Sequence, residues 1–169
     1  GTSSGIDVER IAVTLPDTQH ATAESFDPAA DMLIAKPQTT NTQAQALSMQ
    51  FKRTVALAKL SITGLPSGTR ISEVEFFANG KSLAGACSID LSMGEIAAYS
   101  NAKECVTVSY DTSVASTTPI YFNCYPTTLT EGDSFSVTIT TDKGNKYTKS
   151  VTLTPGRTLT FEQGNLNTF

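Results

Sequence analysis

FKRTVALAKLSITGLPSGTRISEVEFFANG, residues 51–80, carries the most explicit strand signals in the 169-residue chain. Val55 to Thr63 is apolar enough to lie inside a sheet. Gly64 to Thr69 (GLPSGT) supplies the proline and glycines of a connection, and Val74, Phe76 and Ala78 then alternate with Glu73, Glu75 and Phe77. Two strands joined by one loop follow, either as a hairpin or as a crossover between sheets. The first strand breaks phase, because Val55 and Leu57 share one parity while Leu60 and Ile62 share the other. Three arrangements account for the break: a bulge or bend near Ala58 and Lys59, burial on both faces, or a single helical turn over Arg53 to Ala58.

Toward the N-terminus, Ile11, Val13 and Leu15 alternate with Ala12 and Thr14 and are stopped by Pro16, which reads as one short strand. Asp17 to Pro28 (DTQHATAESFDP) is polar and without period, a surface excursion with Phe26 as its anchor. Ala29 to Lys36 is short, apolar and bounded by prolines, which favours strand over helix. The PQTTNTQAQA that follows is an uncharged linker by composition. Leu47, Met49 and Phe51 alternate with polar neighbours and predict a strand with one face inward. Residues 1–45 are thus expected to form a lead-in of short strands and loops, and residues 46–169 a β-sandwich domain.

Toward the C-terminus the alternation continues. Cys87, Ile89 and Leu91 share a parity, and Met93 to Glu95 turn the chain. Val106, Val108 and Tyr110 make the next inward set, then Ile120, Phe122 and Cys124 up to Pro126. Phe135, Val137 and Ile139 against Ser136, Thr138 and Thr140 are the clearest case. They meet Thr148 to Thr154 through Asp142 to Asn145 (DKGN), a hairpin turn by composition. Leu159 and Phe161 give a last short strand before Gly164, Leu166 and Phe169. About ten closely spaced strands, with Thr and Ser filling the outward positions, predict an all-β antiparallel sandwich.

Composition narrows the function classes. Charged residues are 17% of the chain and the formal net charge is -4, so the cationic footprint of a nucleic-acid binder is missing. No run approaches the roughly 18 to 20 apolar residues of a membrane span. Cys87, Cys105 and Cys124 include no CxxC pair, which argues against a zinc site. They read as small buried hydrophobes, with one disulfide plus a free thiol as the alternative. The only histidine, His20, sits in the polar excursion. Glu73 and Glu75 share the face opposite an apolar set and read as solvated. Asp90, Glu95, Glu104 and Asp111 lack the spacing of a calcium loop. No nucleotide-binding motif occurs. No catalytic residues, metal or cofactor are therefore expected, and the chain reads as no enzyme. A sugar-binding face would draw on the tyrosines. Tyr121 and Tyr125 share a parity opposite Phe122 and Cys124, which makes them candidate glycan contacts if exposed together; burial under loops or a second sheet is the competing reading.

The order of several segments resembles the fimbrillin-like surface lipoproteins of Bacteroidetes. These are Ser25 to Pro28 (SFDP), Asp31 to Lys36 (DMLIAK), Phe51 to Arg53 (FKR) leading into Ala58 to Thr69 (AKLSITGLPSGT), and Leu83 to Gly85 (LAG) ahead of Asp90. Tyr125 and Pro126, Arg157 to Phe161 (RTLTF) and Gly164 to Asn167 (GNLN) complete the set. The resemblance implies a transthyretin-like Greek-key β-sandwich on an outer-membrane-anchored, extracellular surface protein. It further implies relatives that are pilus subunits, trimmed after an arginine and polymerised by β-strand addition through sheet edges. The expected function is a non-catalytic structural or adhesion module, a fimbrial subunit or tip component. The alternative is a glycan-binding module of a larger surface lipoprotein, with host or microbial glycans as partners. A membrane is expected only through a lipid anchor, which these residues do not include.

Overall fold

The computed structural model describes residues 10–35 and 48–169. In chain order these form β1 (Arg10–Leu15), β2 (Thr18–His20), a 3-10 turn (Pro28–Ala30), β3 (Leu33–Ala35), β4 (Phe51–Arg53), β5 (Ala56–Leu60) and β6 (Arg70–Ala78). β7 (Ala84–Asp90), β8 (Glu95–Lys103), β9 (Cys105–Ala115), β10 (Ile120–Cys124) and β11 (Thr127–Leu129) follow. The last elements are β12 (Ser134–Thr141), β13 (Lys146–Thr152), β14 (Leu159–Phe161) and β15 (Leu166–Thr168). No α-helix occurs among the described residues.

One wall is a continuous five-stranded sheet in the order β13-β12-β6-β9-β2. Its central strands, β12, β6 and β9, are those with clean alternation. In β6, Val74, Phe76 and Ala78 are buried while Glu73 and Glu75 lie on the other face, opposite Thr140 and Thr138 of β12. The DKGN turn closes the β12–β13 hairpin as expected, with Gly144 in the left-handed region that this turn needs. The facing wall is assembled from smaller, separate sheets, β1-β7-β8, β10-β5-β15 and β11-β14, with β3 and β4 paired beside them. Phe76 of the continuous sheet stacks on Phe122 of β10 and meets Phe161 of β14 edge-on, each at 5.5 Å between ring centroids, so the core lies between the walls.

Residues 51–80 form a sheet-to-sheet crossover and not a hairpin, because β5 belongs to one wall and β6 to the other. The phase break falls at Thr54 and Val55, ahead of the Ala58 and Lys59 expected for it, and no helical turn is present. Thr54 donates both its N–H and its hydroxyl to the Met32 carbonyl, at 3.0 and 3.2 Å, and Gly164 N–H donates to the Val55 carbonyl at 2.8 Å. These non-local bonds make the bend, whereas β5 itself pairs with β10 in unbroken register from Ala56↔Cys124 to Leu60↔Ile120.

Other expectations shift. Met49 and Phe51 do not face inward: Phe51 is 64% exposed, and Leu47 lies outside the described residues. Ala29 and Ala30 belong to the 3-10 turn, which Asp27 caps by accepting from Ala29 N–H, so among the described residues of that segment the strand is Leu33–Ala35. Glu95–Lys103 is a nine-residue strand where the chain showed no apolar period, because only Ile96 in it is even half-buried.

Candidate functional site

A protein that acts through sheet edges is defined by which strands end its sheets and what each removal would uncover. β1 and β8 flank β7. β1 pairs in regular antiparallel register from Arg10↔Asp90 to Leu15↔Gly85, and β7 lies between it and β8. Only Leu15 of β1 is fully buried; Val13 is half-buried and the rest is exposed. β8 is guarded differently. Its pairing with β7 shifts register twice, between Ala86 and Cys87 and between Ser88 and Ile89, which twists that edge away from a flat template. β13, the edge of the continuous sheet, is exposed except at half-buried Val151 and carries Lys146 and Lys149, whose charge opposes edge-to-edge pairing with another copy. β15 pairs in parallel with β5, an edge of three residues with Leu166 exposed.

The free edge of β10 is sealed by side chains. Gln19, with no exposed surface, places its amide against Asn123 as a peptide group would. Gln19 Nε2 donates to the Asn123 carbonyl at 2.7 Å, and Asn123 N–H donates to Gln19 Oε1 at 2.9 Å. Tyr125 N–H donates to the Leu83 carbonyl at 2.8 Å and continues the seal.

Tyr121 and Tyr125 are not exposed together, which corrects the expectation from their shared parity. Tyr125 has 0% exposure. Its hydroxyl donates to the Gly85 carbonyl at 2.6 Å and accepts from Leu15 N–H at 3.3 Å, so the phenol bridges β1 and β7. Burial holds its pKa well above the usual phenol value. Parity failed here because β10 is covered on both faces: Asn123, on the same side, is also fully buried. Tyr121 is half-buried, with Phe26 edge-on at 5.2 Å and the Lys59 ammonium 5.8 Å from its ring centroid.

Cys87, Cys105 and Cys124 are free, Cys87 and Cys124 being buried and Cys105 half-buried. Burial raises all three thiols, Cys124 most, which leaves them protonated and unreactive near neutrality. Asp31 and Arg53 form a bidentate pair at 2.6 and 2.8 Å that pins β3 to β4, and the guanidinium holds the Asp31 carboxyl below its usual range. The signals that could have flagged the sealed edge, Gln19 and Asn123, are single polar residues in otherwise ordinary surroundings.

Fold and edges together define an all-β sandwich whose prominent surface features are the ends of its sheets. The chain belongs to the fimbrillin-like family, whose model matches residues 3–169. Membership goes with a structural role like that of a fimbrial subunit, with association with other subunits, and with a surface-exposed or extracellular location. No curated protein matches the chain.

Proposed function

We propose that this protein is a non-catalytic subunit or tip component of a surface fimbria, with the transthyretin-like Greek-key arrangement of its relatives, and that it joins its neighbours by β-strand addition at the edge of β7. A lipid anchor on an outer membrane belongs to the same proposal. The observation that carries it is β1: among the described residues a six-residue edge strand in regular register that contributes one fully buried side chain, Leu15. Replacing such a strand uncovers little core, and a donor strand with an apolar residue at the Leu15 position would restore both the ladder and the core. β8, on the other side of β7, is irregular and suits the task less.

Val13 stands directly opposite Cys87. A Val13→Cys substitution therefore offers a cross-strand disulfide that fastens β1 in place. Filament or ladder formation, followed by electron microscopy and by size distribution, should cease in the oxidised variant and return on reduction. Assembly by the locked variant at the unmodified rate would overturn strand addition at this edge. A glycan site at the tyrosine pair now rests on Tyr121 alone, since Tyr125 has no exposed surface; a glycan array with the Tyr121→Ala protein as comparison tests it.

A further inference from the structure

A cavity of about 540 Å³ opens where β2 and β9 part. These strands run parallel from Thr18↔Thr107 to His20↔Ser109. Beyond that point β9 loses register with β6: between Glu73↔Ser109 and Ile71↔Val114, the four residues Tyr110, Asp111, Thr112 and Ser113 stand opposite Ser72 alone. Bulges re-aim side chains, and they gather beside functional sites. Here the bulge forms one wall of the cavity, residues 20–23 form another, and Arg70 lies between them.

The wall formed by residues 20–23 and the Arg70 guanidinium are held in place, while the Asp111 side chain is almost wholly exposed. The excursion that contributes residues 20–23 is held by buried Gln19 on Asn123, and by buried Asp27, which accepts from His20 N–H at 2.8 Å and Ala29 N–H at 2.9 Å. Phe26 adds its contact with Tyr121. The Arg70 guanidinium is fixed by Ser113, donating from Nε to the hydroxyl at 2.9 Å and from a second nitrogen to the Ser113 carbonyl. His20 Nδ1 stands 4.0 Å from the exposed Asp111 carboxylate. Tyr110 is buried to 7% exposure and its phenol oxygen has no hydrogen-bond partner among the described residues. Burial pushes that phenol up to about 12, so it is a protonated donor at neutral pH. The phenol oxygen is closed off from solvent, so Tyr110 lines the cavity without offering it a polar atom.

The chemistry of the lining selects a class. Arg70 and Asp111 offset each other, so neither an anion nor a cation is favoured by charge. Donors and acceptors occur together, Arg70 giving N–H groups and Asp111 giving carboxylate oxygens to adjacent hydroxyls. No aromatic face is open to stack a flat ring, because Tyr110 is buried. The volume falls within the roughly 300–1,000 Å³ of small-ligand sites. We infer that this cavity binds a small neutral polyhydroxylated ligand, with the chemistry of a terminal sugar residue, between Arg70, Asp111 and the residue 20–23 loop. The site is separate from the β7 edge and from Tyr121, so it stands whether or not strands are exchanged there.

Saturation-transfer NMR and calorimetry with the methyl glycosides of glucose, galactose, mannose and fucose, and with N-acetylglucosamine, test it. Glucuronic acid and glucosamine serve as charged comparisons. At least one neutral sugar should bind, with affinity reduced at least about tenfold in Asp111→Ala, an exposed position that leaves the fold intact. A similar loss is expected in Ala23→Trp, which crowds the exposed mouth, and no change in Tyr121→Ala. The inference is overturned if no neutral sugar binds at up to about 10 mM, some two decades above a tight fit for so small a ligand. It is equally overturned if only the charged sugars bind, if Asp111→Ala and Ala23→Trp bind as the unmodified protein does, or if Tyr121→Ala abolishes binding.

Discussion

The two walls of the sandwich are built by different means. The five-stranded wall is held by long backbone ladders: seven register pairs join β12 to β13 and seven join β12 to β6. The facing wall is split into separate sheets; its longest ladder, β7 with β8, also has seven register pairs but is broken by two register shifts, and side chains join the pieces. Gln19 stands in for a strand on β10, the Tyr125 hydroxyl bridges β1 and β7, and Gln163 Nε2 donates to the carbonyls of Arg53 and Gly94 at 3.0 and 2.7 Å. A ladder spreads its stabilisation over many equivalent bonds, while a side-chain stitch concentrates it in one residue whose loss leaves buried backbone groups unpaired. The first wall should tolerate surface changes; the second should fail at single points.

Phe76→Ala should be the most damaging change, about 3–5 kcal/mol by chemical denaturation, since its ring touches Phe122, Phe135 and Phe161 and the cavity spans both walls. Gln19→Ala should come next, at about 3 kcal/mol, because it strands the N–H and carbonyl of Asn123. A loss no larger than that of a surface threonine would break the contrast between the walls. Tyr125→Phe should cost about 2 kcal/mol, keeping the ring and leaving Leu15 N–H and the Gly85 carbonyl unsatisfied; hydrogen exchange should rise first at β1.

Acid should act on the pair that pins β3 to β4. Arg53 depresses the Asp31 pKa, so the stability this gives is fully present above the ordinary Asp value of about 4 and is lost as pH falls through the depressed folded value. In Arg53→Gln the denaturant midpoint should change less between about pH 5 and pH 2 than it does in the unmodified protein. The smallest effect is expected on the continuous wall, where Thr138→Ala removes a surface bond to Thr148 and should stay within about 0.5 kcal/mol.

Much of the continuous wall was legible in the residues. Val74, Phe76 and Ala78 in β6 and Phe135, Val137 and Ile139 in β12 advertise their strands because one face meets the core and the other meets water. β8 escaped because neither of its faces is buried enough to demand apolar residues, and β2 escaped because its anchoring residue is a glutamine. The common exposure expected of Tyr121 and Tyr125 failed for a related reason. Period-2 parity says which side a residue takes, and only the packing says whether that side is wet.

Residues 51–80 by themselves determined that two strands flank a loop, since alternation and turn chemistry are local properties. Whether that loop joined neighbours in one sheet or crossed between two was decided by the tertiary structure. So were the bend at Thr54 and Val55, which depends on carbonyls contributed from Met32 and on Gly164, and the cavity between His20 and Asp111. Each rests on contacts between residues tens of positions apart, and no local period in the chain encodes such a contact.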